Sequence, residues 1–398
     1  MRDIIKIVLF YIVGFITLYL EPIEVAGLTV GVLWKLLLLL FLFFPILNNL
    51  LRSKKIDIFI IFYILFAFKL LISFSSFDYP LVTFTIFTKA LMLPMLYLYF
   101  IINFDSKTLL FIVKHFSILI ILSFLPYIAG LLEPLGEGYQ LVAYGLDNKY
   151  GLVGVFLNPH SASISLAFAM IVISTNLNRE NKKIENLFYL LILLLGVYEL
   201  VATYVRTGVV IYMFVLMYLL MRNINMKKIV LLFSISSFAF AGGVYMYETN
   251  DIVKMRLEDK NKYVENGGAG SGRLLYWETA VNNWMHDDLS VIFIGLGEEY
   301  ANQKMEDSIG ERLFAHSEFF QILQQEGLIG LTLLLSILFS LRFFIYQHKN
   351  SIYYSTAFAI FIGIVVEMTF QGGFYFNVVF LFSIYLALLK QEEKRIRI

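Results

Sequence analysis

The sequence predicts an all-α fold, a polytopic membrane helix bundle of about 12 transmembrane helices that forms one domain over residues 1–398. Hydrophobic residues make up 59% of the chain and charged residues only 15%, and the mean hydropathy is +0.77. A soluble domain of this length would need more charge to stay in solution. The net charge of +1 gives no reason to expect nucleic acid as a partner. The absence of cysteine excludes disulfides and thiolate metal sites.

Long apolar runs predict the individual helices, since crossing the hydrocarbon core takes roughly 20 apolar residues. The first run is followed by Glu21-Pro22 instead of a small-residue cleavage site, which indicates a retained helix. The seventh and eighth runs are short and are separated only by the stretch around Arg206. The candidate runs lie near residues 4–20, 27–50, 56–74, 81–103, 108–131, 151–176, 187–204, 207–221, 229–247, 318–342, 351–370 and 374–390.

The loops between these runs predict the orientation of the chain. Alternate loops carry basic clusters, such as 52–55, 179–183 and 222–228, while the loops between them carry acidic residues and few basic ones. Basic residues in short loops stay on the cytoplasmic side, so both termini are expected in the cytoplasm. The only large hydrophilic segment, residues 248–317, then becomes an outer loop. Its glycine-rich stretch 266–272 predicts local flexibility.

Several ionisable side chains fall inside the predicted helices at similar depth below the outer surface. Such residues are costly in a membrane and usually face a cavity or a partner. We therefore expect a polar cavity open to the outside, whose extra cations would suit an anionic ligand such as a lipid pyrophosphate. The alternative is that each lysine extends its ammonium group to the lipid headgroups. The set consists of Lys35, Lys69, Lys89, Glu199, Glu326 and Glu367, with His160 at a similar depth.

A histidine-centred motif precedes the tenth helix. His316-Ser317 is followed by nine residues, Gly327, two further residues and Gly330. This pattern resembles the O-antigen polymerase and ligase superfamily of bacterial membrane glycan-transferring enzymes. Arg273 and Trp277, in the upstream segment 272–277, resemble the arginine and tryptophan that precede the histidine in that family.

Three further segments carry the same resemblance, and together the matches span about residues 150–330. Gly295-Leu296-Gly297 resembles a glycine turn of the family. The segment 205–208 resembles its Ser-Arg-x-Gly motif, with Val205 in place of the usual serine. The segment 154–161 resembles its Gly-x-Phe-x-Asn-Pro-Asn motif, with His160 in place of the commoner asparagine.

The resemblance implies a fold similar to GT-C-type glycosyltransferases and a metal-independent, inverting glycosyl transfer without a cofactor. A sugar hydroxyl would attack the anomeric carbon of a lipid-pyrophosphate-linked sugar, and His316 is the candidate base because histidine is neutral near pH 7. Arg206 and Arg273 are the other candidate catalytic residues, since a guanidinium forms two-point contacts with the leaving pyrophosphate.

Other residues are candidates for binding the pyrophosphate or the glycan, and Glu326 is also expected to orient an arginine or the histidine. Simpler structural roles stay open: His316 could cap the tenth helix, Arg206 could anchor a helix end at the interface, and the glycines could permit close helix packing. No metal site is predicted. The candidate binding residues are Lys35, Lys69, Lys89, Asn158, His160, Trp277, Ser317 and Glu326.

The sequence thus favours an O-antigen or related surface-polysaccharide polymerase of the bacterial cytoplasmic (inner) membrane, with its active site facing the periplasm or exterior. Donor and acceptor would both be undecaprenyl-pyrophosphate-linked oligosaccharides. The family also implies membrane lipids and a chain-length regulator as partners. One alternative is an O-antigen ligase that transfers the glycan to lipid A–core. A more distant one is a transporter of lipid-linked oligosaccharide, although alternating access favours a site near the midplane.

Overall fold

The computed structural model shows a helical protein. It describes residues 12–20, 23–25, 28–50, 56–134, 151–177, 183–222, 248, 273–310, 312, 314–372 and 375–396. The predicted ninth helix at 229–247, the glycine-rich stretch 266–272 and the start of the first apolar run lie outside the described residues.

The described chain begins with a helical turn that becomes a π-helical segment, Ile16–Leu20. Two short antiparallel strands follow, β1 (Glu24–Val25) and β2 (Leu28–Thr29), with Glu24 opposite Thr29. Helix α1 (Val30–Leu50) starts directly after β2. This small hairpin is a departure from the all-α prediction, in which these residues were assigned to a loop and the start of a helix.

The next helices follow the predicted apolar runs closely. They are α2 (Ile58–Leu70), α3 (Pro80–Asn103), α4 (Ser106–Leu122) and the short α5 (Leu125–Ile128), with a 3₁₀ turn at 74–76 between α2 and α3. Proline suits the first position of α3 because it has no amide hydrogen, and an amide at this position would lack a partner within the helix. The Asp105 side chain caps α4 by accepting a 2.7 Å hydrogen bond from the Thr108 amide.

A buried helix forms the centre of the bundle. Helix α6 (Pro159–Asn176) is buried along residues 162–173 and packs against α4, α8 (Arg206–Met221) and α13 (Tyr354–Phe370). Its many alanines and serines let neighbouring backbones approach, which is how membrane helices gain packing contacts. A Cβ on Gly208 of α8 would lie 2.2 Å from the Ser163 hydroxyl, so this contact requires glycine.

Three helices in the predicted outer loop precede the last membrane helices. They are α9 (Arg273–Met285), α10 (Leu289–Ile294) and α11 (Glu298–Ile309). Both α9 and α10 pack against α12 (Glu318–Gln347), which also packs along α2. The chain ends with α13 and α14 (Phe376–Ile396).

The structure confirms a helical membrane protein. Among the described residues, four helical stretches are long and apolar enough to cross a membrane, namely Pro80–Asn103, Ser106–Ile128, Lys183–Ala202 (helix α7) and Glu318–Gln347. Shorter apolar helices include Ile58–Leu70 and Tyr354–Phe370. The count of twelve spans and the likeness to GT-C-type enzymes stay predictions. The run at 151–176 is helical only from Pro159 onward.

Candidate active site

His316 lies at the start of α12 in an unusual backbone conformation. Its φ angle is +51°, in the left-handed region that non-glycine residues rarely adopt. The flanking residues fix this turn: the Ala315 amide donates a 2.8 Å hydrogen bond to Gln321 Oε1, and the buried Ser317 hydroxyl lies 3.5 Å from the Met368 carbonyl. Such conformations cost about 1–3 kcal/mol and cluster at functional sites.

The imidazole of His316 is enclosed by aromatic rings. The Tyr276 ring centroid lies 5.8 Å away and the Phe314 centroid 6.4 Å away. Burial and the nearby Arg273 guanidinium lower the pKa of His316 below its ordinary value, while a contact with Gln371 acts in the opposite direction. Its Nδ1 atom is buried and makes no hydrogen bond within the described part of the chain. The ring is therefore a neutral base at neutral pH.

Two arginines begin two helices, and Arg273 acts electrostatically on this histidine. Arg273 is the first residue of α9, and its Nη2 atom lies 3.4 Å from Thr207 Oγ1, to which it donates. Thr207 directly follows Arg206, the exposed first residue of α8. His160, the second residue of α6, interacts electrostatically with both His316 and Arg273.

Four helices thus begin in one region, α6, α8, α9 and α12. Each helix N-terminus presents backbone N–H groups and a partial positive charge. Together with the guanidinium groups, these ends create a positive potential suited to phosphate groups. The sequence contained the arginines, but only the tertiary structure brings the four helix starts together.

The break at Gly327 and the turn at 295–297 together explain how the first part of α12 is held in place. At Gly327 the helix breaks, with φ +64° and ψ −166°, a conformation open only to glycine. The Gln324 and Gln325 carbonyls, which face this break, accept hydrogen bonds of 3.2 and 2.7 Å from the amides of Leu296 and Gly297. The turn at 295–297 therefore supplies the hydrogen bonds that the helix lacks. This interlock fixes the segment that carries His316.

Lys69 and Glu326 do not meet the arginines or the histidine. Lys69 Nζ lies 2.6 Å from Glu326 Oε2, and both side chains are almost fully buried. The expectation that Glu326 orients an arginine or the histidine is therefore wrong. A buried carboxylate needs a close counter-ion, and Lys69 on α2 supplies it.

The remaining predicted lysines have different surroundings. Lys89 lies near Glu298 of α11, where burial raises the pKa of Glu298 and the lysine acts to lower it. Lys35 Nζ lies 5.7 Å from the centroid of the Phe376 ring. Lys69 and Lys89 therefore each lie beside a glutamate, and these two glutamates are close enough to interact electrostatically. Arg273 is the cation that acts electrostatically on His316.

Two of the predicted binding residues have clear structural contacts. Asn158 caps α6, since its Oδ1 accepts a 2.8 Å hydrogen bond from the Ser161 amide. Trp277 stacks on Phe320 with ring centroids 5.3 Å apart, and its buried indole N–H has no hydrogen-bond partner in the described ranges. These contacts account for the packing of both residues and leave a role in substrate binding untested.

Sequence reasoning missed three residues around the histidine. Thr207 receives the Arg273 hydrogen bond, Tyr276 covers the imidazole and Gln371 approaches it from the end of α13. Thr207 lies in the segment 205–208 and Tyr276 in the segment 272–277. Both segments resemble family motifs, so the sequence contained a signal for these two residues. Gln371 is distant in sequence from every motif, and nothing in its surroundings along the chain pointed to it.

The fold defines a class, an integral membrane protein built of helices. Residues 190–335 match a protein-family model described as O-Antigen ligase. No curated protein matches the sequence. The matched region contains α8, the outer-loop helices and the first half of α12. This match supports, over these residues, the resemblance of the motifs to the O-antigen polymerase and ligase superfamily, and it implies a glycosyl-transferring enzyme in the broad sense.

Proposed function

We propose that this protein is a polymerase of O-antigen or a related surface polysaccharide that joins undecaprenyl-pyrophosphate-linked repeat units at the outer face of the bacterial inner membrane. The supporting observation is that Arg273 lies near the buried His316 imidazole and donates a hydrogen bond to Thr207, the residue after Arg206. The proposed orientation keeps both termini in the cytoplasm. A chain-length regulator is a proposed partner.

The proposed reaction is a direct displacement. An acceptor sugar hydroxyl attacks the anomeric carbon of the donor sugar, and His316 accepts the hydroxyl proton. The new glycosidic bond forms as the bond from the anomeric carbon to the pyrophosphate oxygen breaks, which inverts the configuration. Undecaprenyl pyrophosphate leaves with the electron pair, and Arg206 and Arg273 stabilise its charge. A positioned base of this kind contributes typically 10²–10⁴-fold to the rate.

The presence of an apolar groove supports the proposal that the donor carries a polyprenyl tail. It has a volume of about 430 Å³ and is lined by side chains of the first described helical turn, α1, α3, α4 and α14, including Trp34, Tyr99 and Phe376. Lys35 lies against the Phe376 ring, so a cation stands at one side of the groove. An isoprenoid tail in the groove with its pyrophosphate directed toward cationic groups matches this distribution of apolar surface and charge.

The test is glycan chain length in a strain that lacks the gene and is complemented with variants. His316→Ala, Arg206→Ala and Arg273→Ala should fail to restore the polymer ladder on a glycan-stained gel. His286→Ala and Arg312→Ala are matched controls, because both side chains are exposed in the same outer loop and should restore it. Membrane levels of each variant are measured alongside. A normal ladder with the three site variants would contradict the assignment.

The ligase alternative draws its support from the description of the matched family. The same strain separates the two functions. A polymerase deletion leaves core carrying one repeat unit. A ligase deletion leaves bare core while long lipid-linked polymer accumulates. A transporter would show neither pattern, and its loss would deplete lipid-linked units at the outer face.

A further inference from the structure

A small cavity with polar groups set in mostly apolar walls lies between the start of α6 and the start of α14. Its volume is about 120 Å³, and its lining includes Thr17, Asn158, Ser165, Tyr375 and Asn377. None of its lining residues carries a charge. A cavity with this lining suits a neutral, hydroxylated ligand and does not suit the pyrophosphate itself.

Two buried polar atoms in the lining lack partners within the described residues. Thr17 Oγ1 and Asn377 Oδ1 make no hydrogen bond, and these residues are only 3% and 6% exposed. The Asn377 amide nitrogen donates to Ser165 Oγ at 3.1 Å, which leaves the amide oxygen as an acceptor. Leaving such groups unsatisfied is unfavourable. A bound molecule with hydroxyl groups would satisfy both.

The backbone around Thr17 supports a functional role for the cavity. Thr17 lies in the π-helical segment Ile16–Leu20, and π-helical turns occur frequently at functional sites. The rings of Phe156, Tyr375 and Phe376 provide apolar walls. A few convergent polar groups within apolar walls are typical of small-molecule sites, and a sugar ring presents both hydroxyl groups and apolar C–H faces.

The position of the cavity relates it to the lipid-linked substrate. Asn158 precedes His160 by two residues, and Tyr375 is close enough to Glu318, two residues after His316, for electrostatic interaction. Phe376 borders both this cavity and the apolar groove, and Lys35 contacts the same ring. The cavity therefore shares a wall with the groove and lies near the starts of α6 and α12.

We propose that this cavity binds a neutral sugar residue of the lipid-linked donor, with Thr17 and Asn377 as its hydrogen-bonding groups. The inference rests on the proposed function. It names these two residues as determinants of which repeat unit the enzyme accepts.

The experiment compares binding of two probes to the full-length purified protein. One probe is the lipid-linked repeat unit isolated from the deletion strain, and the other is undecaprenyl pyrophosphate without sugar. Thr17→Val keeps the side-chain shape but removes the hydroxyl. It should weaken binding of the first probe by roughly 3- to 10-fold per lost hydrogen bond and leave the second unchanged. Asn377→Leu should show the same selectivity.

Matched controls separate binding from folding. Thr175→Val and Asn176→Leu alter side chains in α6 whose polar groups bond to the Val172 carbonyl, and both variants should bind the two probes as the wild type does. Thermal stability of Thr17→Val should equal or exceed the wild-type value, because the substitution removes a buried group without a partner. If the Thr17→Val protein does not accumulate in the membrane, the comparison is made with Asn377→Leu.

The outcomes distinguish this inference from the proposed function. Equal effects on both probes, or no effect on either, would overturn the sugar site. Selective weakening together with a wild-type enzyme that binds the donor but makes no polymer would support the cavity and contradict polymerisation. In turnover, the variants should raise KM for the donor with little change in kcat, as expected when ground-state binding is lost.

Discussion

Breaking the Lys69–Glu326 pair gives the sharpest test of the structural reasoning. The two charged atoms lie 2.6 Å apart, and the side chains are 6% and 3% exposed. Removing one partner leaves an uncompensated buried charge. Lys69→Met or Glu326→Leu alone should therefore destabilise the protein by about 3–5 kcal/mol. The exposed Arg312–Glu299 pair is the comparison, and Arg312→Ala should cost less than about 1 kcal/mol.

The double variant Lys69→Met with Glu326→Leu should recover most of that loss. Replacing a buried ion pair by apolar side chains is often neutral or stabilising, because neither charge then has to leave water. Unfolding free energy is measured by titrating the purified protein with SDS in mixed micelles, and polymer length is measured in the complemented strain. We expect the double variant to restore the ladder, since both side chains contact each other and not the arginines or His316.

Two results would refute this account. Single variants as stable as the wild type would mean that the pair contributes nothing in the membrane. A stable double variant without polymer would mean that Lys69 or Glu326 takes part in the reaction, as the sequence had suggested.

Three further predictions follow from individual contacts. Gly327→Ala should destabilise the fold by at least about 1–3 kcal/mol, because its Cβ would lie 2.5 Å from the Phe293 carbonyl oxygen at positive φ; thermal unfolding checks this. Asn158→Ala should cost about 1 kcal/mol and Asn158→Asp far less, since aspartate also caps helices; equal losses would exclude the capping role. In the pH profile of kcat/KM, the midpoint of the acid limb should lie below pH 6.5, the ordinary pKa of histidine. The reason is that the pKa of His316 is lowered and that the base must be neutral to act. Arg273→Gln removes a cation and should move that limb to higher pH.

The departures from the family pattern have physical consequences of their own. Val205 replaces the usual serine at the N-cap of α8, and it makes no side-chain capping bond there. The Thr203 hydroxyl accepts a 3.2 Å hydrogen bond from the Val205 amide, which holds the residue before the helix but does not cap the first amides of α8.

The sequence by itself determined the class of fold, the positions of most described helices and the candidate residues for the reaction. Apolar runs set the helix ends to within a few residues for α2, α3, α12 and α13, because hydrocarbon thickness and backbone hydrogen bonding restrict membrane segments to helices. The motif spacing singled out His316, Arg206 and Arg273 because these residues lie in local patterns that a linear sequence preserves.

Only the tertiary structure decided which charges face each other. Depth in the membrane suggested one shared set of lysines and glutamates, but depth says nothing of direction around a helix axis. The packing of α2 against α12 turned Lys69 toward Glu326, and the outer-loop helix α11 brought Glu298 to Lys89. The convergence of four helix starts and the small cavity at Thr17 and Asn377 likewise join segments far apart in the chain. Partners of this kind depend on helix rotation and packing, which hydropathy and local motifs do not encode.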